Sequence, residues 1–409
     1  MALDASTAYD TAPLRQLSRT IIFVLFLIVS RATAEPVVTL VTVGPGDAVW
    51  EKFGHNMLRV QDADRGLDVC FNWGLFDFDQ PNFIRNFVQG RMLYTMAPLK
   101  TDRELELYRG QNRRVTFQQL RLSPKQANDL LRRCIVNFQN SPNYRYDYFN
   151  DNCSTRVRDM LDATLGGELA KANQGVLMPP PTTYRHEMLR LMRDEFWLSV
   201  GMDFAGGPAT DKPLDRWALG FLPATVADMT VPYAEPAIEP WQSTRPPPPA
   251  VPRTIWPWLL VAGVVGGGVM LCGIRRGGWR RGVGRTAVYS WWLLAGSGGA
   301  FMLYMWTATD HAAAHANQNL WHFSPLAWLA FVLHVFRQRT AAAWFTRAMV
   351  GMTLVGCVVW ATGKVFGGPF AQPNGNFILL SLPLNLVGAW ATRPVATLTK
   401  PALADEVSA

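Results

Sequence analysis

Five apolar runs fill the last third of the chain, at 255–274, 287–306, 321–336, 344–362 and 376–392, and they limit what the rest can be. A helix of about 20 apolar residues matches the hydrocarbon thickness of a bilayer. In lipid each backbone polar group needs an internal partner, which leaves helices as the form such runs take. The third run is short for a full crossing. Many of the chain's 16 Trp flank these runs, as expected at membrane interfaces. Residues 35–243 differ in kind, with mixed charge and ordinary periodicity, and read as a soluble domain. Between the two lies "TRPPPPAVPRT" (244–254), expected to be an extended, semi-rigid linker.

The formal charge of +8 invites a nucleic-acid reading, but its densest cluster (Arg275, Arg276, Arg280, Arg281, Arg285) falls between the first two apolar runs. There it reads as a cytoplasmic anchor, and no nucleic-acid partner is expected. Arg337 and Arg339 lie between the third and fourth runs, and Arg393 and Lys400 follow the fifth, while loops 307–320 and 363–375 carry Lys364 alone. The positive-inside rule then places the linker outside and the tail at 393–409 inside. Arg15, Arg19, the run "IIFVLFLIV" (21–29) and Ala32-Thr33-Ala34 have the form of a signal peptide over 1–34. The domain that follows is exported.

Within that domain, strand-like runs lie at 36–44, 55–61, 67–76, 92–99 and 114–122, rich in β-branched and aromatic residues and bounded by Gly, Pro or Asp. "SPKQANDLLRRCIVNF" (123–138) predicts a helix capped by Ser123, a second starts at Asn152 or Cys153, and a third covers about 183–195. The expected class is α+β, an antiparallel sheet with helices, followed by an all-α membrane domain.

Cys153, in "YDYFNDNCSTRVRDML", falls in the first turn of its predicted helix. The positive end of the helix dipole favours a thiolate there. A nucleophile also needs a base. His55, after Gly54 and at the start of a strand, is the first candidate, and Asn72 on the next strand is the first candidate to orient its ring. Asp151 and Asn152 are available to cap the helix or to serve an oxyanion site formed with the Cys153 N–H. His186 is the alternative base. The competing reading is a buried, inert thiol and a structural imidazole. Cys70 and Cys134 read as core residues, with a disulfide between them as the alternative. On the outer loops, Asp310, His311, His315 and Asn319 either cap helix ends and wet an interface or help accept a lipid headgroup. The His311/His315 spacing suits a metal, but no Cys or Glu accompanies it, and no metal or other cofactor is expected.

At "FGHNMLRV", "FNWGLFDFDQPNF", "FVQGRMLYTM", "YRYDYFNDNCSTRVRD" and "PLDRWALGFLP" the chain resembles the periplasmic domain of Lnb-type lipoprotein N-acyltransferases. "TDHAAAHANQNLWHFSPL" and "NGNFILLSLPLN" are similar to that family's membrane part. The resemblance implies a permuted papain-like fold related to NlpC-type domains, and about five transmembrane helices in a bacterial inner membrane. It implies transfer of an acyl chain from a donor lipid, or from another lipoprotein, to the α-amine of a diacylated lipoprotein's N-terminal cysteine. Cys153 matches the family's nucleophile and His55 its base. For that chemistry Tyr148 is expected to help keep the site dry and Arg156 to touch lipid phosphate, unless Arg156 and Arg158 are consumed by salt bridges with Asp151, Asp159 or Asp162. Two other functions use the same features: a membrane-anchored cysteine peptidase or amidase of peptidoglycan, and a non-catalytic binder of envelope lipoproteins.

Overall fold

The computed structural model describes residues 35–180, 182–275, 278–367 and 372–392. The expected signal peptide, Arg276, Arg393, Lys400 and the tail lie outside the described residues. The chain divides into two compact units. The first holds the residues up to Asp203, Ala209–Arg253 and Ala308–Ala312; the second holds Phe204–Pro208, Thr254–Thr307 and the residues from Ala313 on.

The first unit is built on an antiparallel sheet. Its strands are β1 (Val37–Val43), β2 (His55–Asp62), β3 (Leu67–Leu75), β4 (Leu93–Lys100), β5 (Val115–Gln119) and β6 (Asn143–Arg145), in the order β5-β1-β2-β3-β4-β6. The alternation of apolar residues fixes its faces. Val38, Leu40, Leu58, Val60, Phe71 and Trp73 pack on one side with Leu130 and Cys134 of helix Pro124–Asn140 and with Val157 and Leu161 of helix Cys153–Thr164. Each such side chain, fully buried, contributes about 1.5–3 kcal/mol. Val41, Val43, Met57 and Cys70 form the other side with Tyr108 of helix Thr101–Gly110.

Cys70 and Cys134 thus lie on opposite faces of the sheet, both as free thiols. Burial pushes Cys70 up to about 12 and Cys134 higher still, as befits inert core thiols. The segment expected as a bare linker is tied down along its length. Asn112 Nδ2 donates to Thr244 Oγ1 (2.7 Å), Arg245 bonds Asp47 (2.6 Å), and Arg190 donates to the Pro249 carbonyl (2.8 Å). Prolines offer carbonyls without N–H groups, so arginines on the unit's surface can take up the acceptors.

The second unit is helical: Trp256–Arg275, Trp279–Ala308, Leu326–Val335, Arg339–Phe366 and Gly375–Ala391. Trp256–Arg275 and Arg339–Phe366 are long and apolar enough to cross a membrane. Arg280, Arg281 and Arg285, expected in a loop, occupy the opening turns of Trp279–Ala308 instead. The third apolar run shrinks to the ten residues of Leu326–Val335, about 15 Å of helix. The residues ahead of it form a 3-10 turn, Gln318–Trp321, which polar side chains hold in place. Asn317 accepts from the Asn319 N–H (2.9 Å), and Asn385 donates to the His322 carbonyl (3.0 Å). Small residues let the helices close up: a Cβ on Gly273 would lie 2.4 Å from the Gly284 Cα.

Candidate active site

His55 opens β2, where β1 pairs with it at Val43. The chain reaches this point through Gly54, whose φ of +82° a side chain would strain; a Cβ there would lie 2.6 Å from the Val43 carbonyl oxygen. Asn72 stands on β3, opposite Met57, the next residue on the same face as His55. Its Oδ1 accepts from His55 Nε2 at 2.7 Å. Asn72 Nδ2 in turn donates to Glu104 Oε2 at 3.0 Å, and the Tyr108 hydroxyl reaches the same oxygen at 3.4 Å. Asn72 and Glu104 are both buried.

Cys153 arrives from the other face of the sheet, at the tip of its helix. Asn152 is the cap: its Oδ1 accepts from the N–H groups of Ser154 (2.8 Å) and Thr155 (2.9 Å). Its Nδ2 donates to the carbonyls of Tyr148 (2.9 Å) and Phe221 (3.0 Å), so one amide anchors four backbone groups. Ser154 Oγ donates to Asn56 Oδ1 (2.9 Å), tying the helix tip to β2. The sulfur and the His55 ring are near enough for each to act on the other's protonation. With Nε2 committed to Asn72, Nδ1 is the ring nitrogen left for the thiol.

The electrostatics favour an ion pair. Burial pushes the Cys153 thiol up, but the charge and hydrogen bond of His55, with backbone N–H groups of Asn56 and Ser154, outweigh it and hold the thiol below its ordinary value. Burial pulls His55 down, but the Cys153 thiolate and the Asn72 hydrogen bond hold it above its ordinary value. Burial raises the Glu104 carboxyl, offset in part by His55, Asn72 and Tyr108. A thiolate beside an imidazolium, whose second nitrogen is fixed by an amide, is the arrangement that cysteine nucleophiles require.

Two family models match the chain: the Lnb N-terminal periplasmic domain over residues 30–190 and the Lnb transmembrane domain over residues 255–364. The chain belongs to the Lnb family. It is thus a membrane-associated protein with a periplasmic part. Nothing among curated proteins or among solved structures matches it.

In this Lnb chain the remaining expected residues have other partners or other places. Asp151 is not the cap: it pairs with Arg156 through two hydrogen bonds, one of 2.6 Å. That pairing also takes Arg156 out of the role of a free phosphate contact, and its guanidinium lies 4.2 Å from the centre of the Tyr144 ring. Arg158 is likewise engaged, bonded to Asp159 and stacked 4.0 Å over Trp217. An open cleft of about 760 Å³ borders Asp151 and Arg156 without including Cys153 or His55.

Asp310 and His311 do belong to the first unit. Asp310 Oδ2 is held by Arg91 (2.9 Å) and Arg145 (2.7 Å), and His311 Nε2 meets the Phe87 carbonyl (3.0 Å) while its ring stacks 6.3 Å from that of Tyr148. Tyr148 is 42% exposed. His315 and Asn319 belong to the second unit, and only a three-residue 3-10 turn, Ala312–Ala314, separates His311 from His315, so the i, i+4 pair is not one helical face. Asn319 is fully buried and donates to the Phe204 carbonyl (3.0 Å), a structural duty rather than a contact for substrate. His186 sits on helix Tyr184–Leu191, outside the Cys153–His55–Asn72–Glu104 chain of contacts.

Glu104 was absent from the residues singled out by sequence, as was Gly74. Gly74 is the irregular position in the β3–β4 ladder, with φ +89°. A Cβ there would come within 3.4 Å of the Cys153 Cβ. The "NWG" triplet that joins Asn72 to Gly74 was the available signal, a glycine inside a strand marking a bulge or a close approach. An aromatic series also leads away from the thiol. Tyr146, beside Gly74, stacks on Tyr94 at 4.1 Å; Tyr94 meets Phe76 at 5.1 Å, and Phe76 meets Phe78 at 4.9 Å and Trp50 at 6.0 Å.

Proposed function

We propose that this chain is a membrane-bound thiol acyltransferase of the bacterial inner membrane, with a periplasmic, permuted papain-like catalytic domain and about five transmembrane helices. Its proposed product is a lipoprotein acylated on the α-amine of its N-terminal, lipid-modified cysteine. The observation that carries the reading is the Cys153–His55–Asn72 chain at a helix tip, in a family named for a periplasmic and a transmembrane domain. The aromatic series from Tyr146 to the exposed Trp50 and Phe78 supports an acyl chain as the group presented to the sulfur. The positive-inside pattern supports a periplasmic placement of residues 35–253.

In the first step the Cys153 thiolate attacks an ester carbonyl of the donor lipid. A C–S bond forms, the tetrahedral oxyanion collapses, and the ester C–O bond breaks. The imidazolium of His55 gives its proton to the departing lyso-lipid alkoxide. In the second step the neutral α-amine of the acceptor attacks the thioester. The C–N bond forms, the C–S bond breaks, and His55 takes the amine proton, which restores the ion pair. Asn72 keeps the ring from turning between the two proton transfers, and Glu104 keeps Asn72 from turning.

Mass spectrometry tests the proposal. Purified protein with phospholipid should carry one acyl mass on Cys153, labile to hydroxylamine, and a diacylated lipoprotein added next should gain one acyl chain on its N-terminal peptide. Cys153→Ser and His55→Ala should abolish both. Cleaved peptidoglycan stems with unchanged lipoprotein would instead establish a peptidase.

A further inference from the structure

Acyl transfer through a thioester passes twice through a tetrahedral oxyanion, and one N–H is rarely enough to hold it. The Cys153 N–H, first in its helix, has no intrahelical partner and supplies one donor. The second is present among side chains that the mechanism above leaves unused.

Tyr144, on β6, is 8% exposed, and its hydroxyl is buried without a hydrogen-bond partner among the described residues. Buried hydroxyls are nearly always satisfied, so an unpaired one calls for a partner that comes and goes. Its position says which. A Cβ built on Gly74 would lie 3.4 Å from the Cys153 Cβ and 3.9 Å from the Tyr144 hydroxyl. The hydroxyl and the thiol-bearing carbon therefore border the same small space, which exists because residue 74 has no side chain. The backbone of Tyr144 is set by its pairing with Tyr94 across the β4–β6 ladder, and its ring lies 4.2 Å from the Arg156 guanidinium, itself bound to Asp151.

We propose that the Tyr144 hydroxyl is the second oxyanion donor, acting with the Cys153 N–H on acyl intermediates at the sulfur. The inference rests on the acyl-transfer reading. Burial, and next the Cys153 charge, push the phenol well above its usual range, so it stays a donor throughout the working pH.

The test contrasts two reactions of the same sulfur in the full-length protein. Acylation by p-nitrophenyl butyrate, followed as a burst of p-nitrophenolate, builds an oxyanion; alkylation by iodoacetamide displaces iodide and builds none. Tyr144→Phe keeps the ring and its contact with Arg156. It should slow the burst by about 100-fold, the scale of one lost oxyanion donor, and leave alkylation within about twofold. Equal rates in both reactions, or both slowed alike, would overturn the role. If wild-type protein gives the burst at Cys153, Tyr144→Phe slows it, and the acyl group never passes to a lipoprotein amine, the donor stands while the proposed acceptor falls.

Discussion

At His55 the two ring nitrogens have different partners, and this governs how the site responds to pH. The thiol is held below its ordinary value and the imidazole above its own, each favouring the other's charged form. Alkylation of Cys153 by iodoacetamide should therefore rise with pH through a midpoint below that of a free thiol. Acyl transfer should fall again at higher pH, as His55 loses the proton it must give to the leaving group. In His55→Ala the burial remains and the compensating charge is gone. The rise in alkylation should then move above the ordinary thiol range, about 8.5. An unshifted profile would mean that His55 does not set the state of the thiol. Cys153 and His55 were legible in the sequence because Cys beside Asp-Asn at a helix start, and His after Gly at a strand start, are unusual placements. Glu104 was not. It lies in "TDRELELYRG", where a carboxylate resembles any solvated helical charge. The buried face of that helix is Thr101, Glu104 and Tyr108, so hydrophobic periodicity does not reveal it.

Among the elements, the helix from Cys153 depends most on a single side chain. Asn152→Ala removes acceptors from two N–H groups and donors from two carbonyls. Loss of the cap alone costs about 1 kcal/mol, and the stranded carbonyls add about 1–2 kcal/mol. Chemical denaturation should report a loss of about 2–3 kcal/mol, with slower alkylation of Cys153 in the protein that remains folded. An unchanged midpoint would show that the cap is dispensable. The sequence revealed β1 to β5 within a few residues, since β-branched and aromatic residues between turn formers leave few alternatives. β6 escaped because it is a three-residue edge strand, "NYR", with only Tyr144 buried. Helix Phe83–Gln89 escaped because its apolar residues are not buried: Ile84, Phe87 and Val88 face outward, so no stripe turned toward a core marks it.

For the molecule as a whole, polar side chains do in the helical unit what leucines do elsewhere. Asn385 accepts from Trp291 Nε1 (2.8 Å) and donates to the His322 carbonyl (3.0 Å) and Thr353 Oγ1 (2.9 Å), joining three helices and the turn before a fourth. Away from water these groups have no easy substitute partners, and Asn385→Leu should cost about 1–3 kcal/mol. A fall of several degrees in Tm in detergent would register it; an unchanged Tm would remove this knot from the account of the unit's stability. The apolar runs were enough to locate the helices, but not the polar residues that lock them, since an asparagine in a hydrophobic run gives no hint of its partner.

The Pro-rich stretch looks like the natural place to sever the protein, yet neither fragment would be whole. A piece ending at Arg253 forfeits Asp310, the carboxylate that clasps both Arg91 and Arg145. A piece starting at Thr254 forfeits the Phe204 carbonyl on which Asn317 and Asn319 both close. Each unit takes in a short segment from the far side of the linker, so cutting there would leave both units incomplete.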